Sequence, residues 1–152
     1  MKLAEALALR AEMKTKIGQL AVRLNQNAKV QEGEKPVENP YILIEELDSI
    51  SDEMAKLIKN INYTNCITVE NGISLTDMIA EKDVLKKKIS VMRAFLSRSG
   101  EVIDRYSNKE IKVHSTVDVV ELQKKVDAMS KQLRELDVNI QRINWTVDLI
   151  EK

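Results

Sequence analysis

The sequence predicts an all-α protein: four long helices forming two antiparallel hairpins, a helical bundle of coiled-coil character, with a short extended segment before the last helix. Three observations lead there. Apolar residues recur at alternating steps of three and four over four long stretches, the spacing of a helix seam. Glu, Lys, Gln and Arg fill the positions between them. Only four Gly and two Pro punctuate 152 residues, and all but Gly18 fall between the periodic stretches or at their edges. One domain spanning residues 1–152 is expected, with helices over about 2–27, 40–65, 75–99 and 116–151.

In the first stretch, Leu3, Ala6, Arg10, Met13, Ile17, Leu20 and Leu24 form the seam. It breaks at residues 27–39, where Gly33, Pro36 and a cluster of charges mark a loop. Asn39-Pro40 opens the second helix, with Asn as N-cap and Pro at the first helical position, where its missing N–H costs nothing. Leu43, Leu47, Ile50, Met54, Leu57 and Ile61 continue the spacing. Residues 66–73 hold Asn71-Gly72 between β-branched residues, the signature of a tight turn in a short extended flap with type I′ geometry.

Ser74 with Asp77 resembles a capping box for the third helix, whose seam is Leu75, Met78, Lys82, Leu85, Ile89, Met92 and Leu96, with Gly100 as its stop. Residues 101–115 read as irregular, and 110–114 alternate like a short strand. The last helix starts at Ser115 or Thr116. Its seam runs Val119, Leu122, Val126, Met129, Leu133, Leu136, Ile140, Ile143, Val147 and Ile150. Val117, Val138, Trp145 and Leu149 lie outside that seam. They form either a broader core face or, the preferred reading, an interface with further copies of the chain.

Composition excludes several function classes. Twenty-four basic residues cancel 24 acidic ones, which argues against a protein that coats a nucleic-acid polymer, since phosphates call for a cationic surplus. One Cys (Cys66) and one His (His114) rule out a disulfide framework and a His/Cys metal cluster; no metal and no cofactor is expected. No apolar run approaches the ~20 residues of a membrane span, and Glu5 and Arg10 break up any signal-like start. A cytoplasmic protein without membrane contact is the expectation.

Polar residues at apolar positions carry the functional signal. Arg10 and Lys82 occupy seam positions, each seven residues into its helix. An antiparallel arrangement sets them in one layer with Asn62, Thr64, Asn65, Thr76, Asp77, Asn144 and Trp145. Such a layer holds a phosphate or carboxylate, or it serves only to fix helix register. The second cluster is Arg105, Tyr106, Ser107, Lys109, Lys112, His114, Ser115 and Thr116. There Arg105 is read as an anion clamp, Tyr106 as a stacking face, and the N–H groups after Ser115 as a phosphate seat. The competing reading is a helix cap. Catalytic equipment is sparse: no glycine-rich phosphate loop, GxSxG or HExxH occurs, and Lys86-Lys87-Lys88 is weak evidence for nucleic acid. No catalytic residue is assigned.

At INYTN (61–65), SLTD (74–77), DRYSNKEIK (104–112), STVDV (115–119) and INW (143–145), the chain resembles a family of small helical bacterial proteins often labelled septicolysin. The opening MKLAEALALRAEM and the loop KVQEGEKP extend the resemblance over nearly the whole length. It implies an all-α, oligomeric protein. The polar residues it carries over are Arg10, Asn62, Thr64, Asn65, Asp77, Arg105, Tyr106, Ser107, Lys112, Ser115, Thr116, Asp118, Asn144 and Trp145, and it departs at Lys82, where Arg is the more typical residue. The label derives from a pore-forming toxin, which heavily charged outer faces disfavour. The expected function is therefore a non-catalytic homo-oligomer that binds or sequesters a small anionic, nucleotide-like ligand, as a carrier, sensor or sponge. A ligand-free structural scaffold is the alternative. An enzyme acting on phosphoesters or nucleotides, with His114 as its one conventional base, comes third.

Overall fold

The computed structural model describes residues 1–100 and 112–152. Four helices account for most of them: α1 (Leu3–Gln26), α2 (Pro40–Ile67), α3 (Leu75–Ser99) and α4 (Val119–Thr146). Two short strands, β1 (Val69–Glu70) and β2 (Ile73–Ser74), pair antiparallel between α2 and α3. The helices form two antiparallel hairpin-like pairs, α1 with α2 and α3 with α4, as the seam spacing predicts. The chain divides into two compact units: Met1–Leu75 with Gln141–Lys152, and Thr76–Ile140.

In the first unit, Leu3, Ala6, Met13 and Leu20 of α1 and Leu43, Leu57 and Ile61 of α2 are buried. All seven are predicted seam residues. The N-terminus of α2 forms as its sequence dictates: Asn39 Oδ1 accepts the Tyr41 N–H at 3.0 Å, ahead of Pro40 at the first position. The α1–α2 loop is fastened at both ends. Asn27, buried at the C-cap of α1, donates through Nδ2 to the Arg23 carbonyl (2.8 Å) and accepts the Glu38 N–H (3.0 Å). Arg23 Nε donates to the Glu38 carboxylate at 3.0 Å. That guanidinium holds the Glu38 carboxyl below its usual range, the hydrogen bond being the main cause, and Glu38 in turn raises Arg23.

Asn71 (φ 54°) and Gly72 (φ 81°) both adopt the left-handed backbone that a two-residue type I′ turn requires. They set Val69 opposite Ser74 and Glu70 opposite Ile73. Arg142 of α4 pairs with Glu70.

The second unit is centred on Ile89, Leu96, Val126 and Met129, with Leu85, Met92, Val119, Leu122 and Leu133 packed against them. Two polar links follow its antiparallel sense. Lys82, early in α3, reaches Asp137, late in α4, at 3.0 Å; Arg93, further along α3, donates to Ser130 Oγ, earlier in α4, at 2.9 Å. Gly100 follows the last residue of α3, its N–H donating to the Leu96 carbonyl.

The last helix is shorter than its seam predicts, at both ends. Asp118, and not Ser115 or Thr116, accepts at its start: Asp118 Oδ1 takes the Glu121 N–H (3.1 Å), while Ser115 Oγ closes a local turn with Val117. Its other end stops at Thr146, because residues 147–149 pair with the N-terminus instead. Leu3 N–H donates to the Val147 carbonyl and Leu149 N–H to the Met1 carbonyl, both at 2.9 Å. Lys2 meets the Asp148 carboxylate at 2.8 Å. Val147 and Ile150 thus keep their apolar character but leave the helix. Residues 112–114, approaching α4, have no regular structure; the rest of the predicted extended segment lies outside the described residues.

Candidate functional site

A cleft in the second unit gathers the chemistry an anion requires. It encloses about 260 Å³ and is lined by Lys82 and Lys86 from α3 and by Leu133, Arg134 and Asp137 from α4. The two lysines lie four residues apart, so one helix face presents both; Arg134 and Asp137 share the facing side of α4 by the same rule. Three cations against one carboxylate leave the cleft with two surplus positive charges. Lys82 is the predicted seam cation, its side chain 26% exposed and its ammonium on Asp137. A long aliphatic stem allows a lysine to sit in a seam while its charge reaches the rim. Lys86 and Arg134 have no ion pair among the described residues. Leu133 contributes apolar contact. Arg134 offers a planar fork suited to phosphate or carboxylate oxygens.

The remaining predicted residues divide between the units. Arg10 is half-buried in α1 between Ala6 and Met13, without an ion-pair partner among the described residues. Asn62 is exposed on α2, Asn65 half-buried, Asn144 buried and Trp145 63% exposed on the last turn of α4. These five belong to the first unit. Asp77, Lys82, Lys112, Ser115 and Thr116 belong to the second; Asp77 has an interaction of its own, and Lys112, Ser115 and Thr116 are exposed. Arg105, Tyr106 and Ser107 lie outside the described residues. At the start of α4, the proposed phosphate seat is occupied in part by the chain's own Asp118 carboxylate. His114 and Cys66 are both exposed. Among the described residues, no group of three or more His, Cys, Asp or Glu side chains is arranged to hold a metal ion.

Sequence reasoning missed Lys86, Arg134 and Asp137 as companions of Lys82. The available signal was the i, i+4 relation of Lys82 to Lys86, obscured by treating Lys86-Lys87-Lys88 as one charge run. It also missed Asn60. That side chain is buried beside Thr64, and the two receive the C-terminal tail: Ile150 N–H donates to Thr64 Oγ1 at 2.9 Å, and Lys152 N–H to Asn60 Oδ1 at 3.3 Å. Thr64, fully buried, donates its hydroxyl to the Asn60 carbonyl at 2.8 Å. Of the predicted polar residues at the end of α2, Thr64 is thus a device for docking backbone. A second hollow, about 470 Å³, opens in the α1–α2 loop among Lys29, Glu34, Lys35 and Val37. Its charges are mixed.

Fold and cleft together define a small all-α protein of two helical hairpins, one of which carries a cationic groove. Residues 10–149 match a family of unknown function, DUF6847, and the chain belongs to that family. It is similar, at 40% identity over 99% of each chain and with a TM-score of 0.92, to a solved structure from Corynebacterium diphtheriae described as a functionally unknown conserved protein. None of the curated proteins matches.

Proposed function

We propose that this chain is a non-catalytic, self-assembling helical protein that captures a small anionic, nucleotide-like ligand, and that the Lys82–Lys86–Arg134 cleft holds its charged group. The observation that carries the reading is the cleft itself: two of its three cations have no ion pair among the described residues, and apolar Leu133 lines it with them. An anionic group entering there gains charge-assisted hydrogen bonds from Arg134 and the lysines. Asp137 keeps the cleft from being uniformly repulsive to its own cations. Capture without turnover suits a carrier, sensor or sponge. No helix among the described residues is long and apolar enough to cross a membrane.

Calorimetric titration with inorganic phosphate and with linear and cyclic nucleotides tests it. Micromolar binding, about −8 kcal/mol, is expected for one member of that panel, with Arg134→Ala weakening it at least tenfold. Affinity no better than millimolar across the panel, or an Arg134→Ala protein that binds as the parent does, overturns the proposal. The scaffold reading has its own support in the Lys82–Asp137 pair, which joins the two helices through the chain's own side chains. Under it, Lys82→Leu removes one partner of a partly exposed pair and lowers stability by about 1 kcal/mol or less. Under the capture reading, the same change abolishes binding.

A further inference from the structure

The chain contains one Phe and one Trp, and both are exposed. Phe95 does not stand alone. On α3, Glu81, Val84, Lys88, Val91, Phe95 and Arg98 follow one another at steps of three, four, three, four and three, and all six are exposed. This is a second helix seam. It is displaced by roughly a third of a turn around α3 from the seam that packs on α4, by the 3.6-residue period. Val84 is 66% exposed, Val91 68% and Phe95 42%. Three large apolar side chains in one stripe on an amphipathic helix are not the scattered exposure that any surface shows.

The stripe reads the same from either end. Its spacing is palindromic about the midpoint between residues 89 and 90. A second α3 laid antiparallel across it about a two-fold axis at that point meets matching positions throughout. Val84 then faces Phe95, and the Lys88 stem faces Val91. Glu81 at one end meets Arg98 at the other, twice. A parallel pairing would instead set Glu81 against Glu81 and Arg98 against Arg98. The end charges therefore select the antiparallel direction, while Val84, Val91 and Phe95 supply the apolar contact and the Lys88 stems leave their ammonium groups at the rim. An isologous, two-fold contact is the commonest form of self-assembly. We infer that the outer stripe of α3 is a homodimer interface, in which two copies pair antiparallel through Val84, Val91 and Phe95 with Glu81–Arg98 ion pairs at both ends. The inference rests on the self-assembly in the proposed function and gives it a specific surface, separate from the Trp145 face.

Sedimentation analysis of the full chain at micromolar concentration tests it, with circular dichroism as the check on folding. The parent is expected to be dimeric or larger, and Val91→Asp to weaken the α3 contact by at least about tenfold, the range of a truncated interface anchor, at unchanged helicity. Glu81→Arg alone and Arg98→Glu alone each weaken association, and the double variant restores it, because only an antiparallel pair sets these two positions against each other. Trp145→Ala separates the readings. A monomeric parent overturns both this inference and self-assembly. A parent that assembles, ignores Val91→Asp and dissociates with Trp145→Ala overturns the α3 interface and leaves self-assembly standing. Failure of the double variant to recover overturns the antiparallel register.

Discussion

At the scale of single residues, the polar exceptions to an apolar pattern proved informative in two different ways. Lys82 was legible as an anomaly, since a charge at a seam position demands a partner. The partner was not, because Asp137 lies 55 residues away and only packing of α3 on α4 brings it near. Thr64 and Asn144 were legible as polar positions at helix ends. Their burial was not, since nothing in the spacing of α2 states that a tail returns to cover Thr64. The Thr64 hydroxyl carries a specific load there: it donates to the Asn60 carbonyl and accepts the Ile150 N–H. Thr64→Val preserves the shape and removes both bonds, leaving one backbone N–H without its acceptor. A loss of about 1–3 kcal/mol follows, expected as a lower urea midpoint at constant m-value. An unchanged midpoint would show that the tail does not depend on this hydroxyl.

At the scale of elements, three helices had boundaries readable to within two residues, and the fourth did not. Asn39-Pro40 and Gly100 are unambiguous start and stop chemistry. Before α4, Ser115, Thr116 and Asp118 all qualify as caps, and local sequence does not rank them. Asp118 prevails in the structure by accepting the Glu121 N–H. Asp118→Ala is therefore expected to cost about 1 kcal/mol, while Ser115→Ala and Thr116→Ala stay near zero, measured by thermal unfolding of the three variants side by side. The α1–α2 loop makes a prediction about pH. Glu38 has a folded-state pKa below its unfolded value, so its contribution is fully present above the ordinary glutamate pKa of about 4.3. It is lost as pH falls through the lower, folded value. Carboxyl chemical shifts should place the Glu38 midpoint below the ordinary range in the parent and back within it in Arg23→Gln. A Glu38 midpoint that ignores Arg23→Gln would sever that link.

At the scale of the whole molecule, the two hairpins were visible in the sequence because hydrophobic period is a local property. The division of the core into two units was not, because the closing contacts join chain ends. Residues 148–152 continue the apolar seam of α4 in sequence through Ile150, yet it is their backbone and charges that fasten the first unit. Leu149 N–H bonds the Met1 carbonyl, Ile150 N–H bonds Thr64, and Lys152 N–H bonds Asn60. Lys2 holds Asp148, lowering that carboxyl chiefly through their hydrogen bond, and Lys152 lies 4.9 Å from the Tyr63 ring centre. Deleting Asp148–Lys152 removes three backbone hydrogen bonds, each contributing on the order of 0.5–1.5 kcal/mol net, and uncovers the buried Thr64. Hydrogen exchange is expected to show lost amide protection over Leu57–Thr64 and the first turn of α1. Acid should act in the same direction on the intact chain, since a depressed Asp148 pKa stabilises above its unfolded value and ceases to do so as pH falls through the folded one. Retained protection over Leu57–Thr64 in the truncated chain would mean that α1 and α2 hold this end of the core by their own packing, with the tail following their fold instead of fastening it.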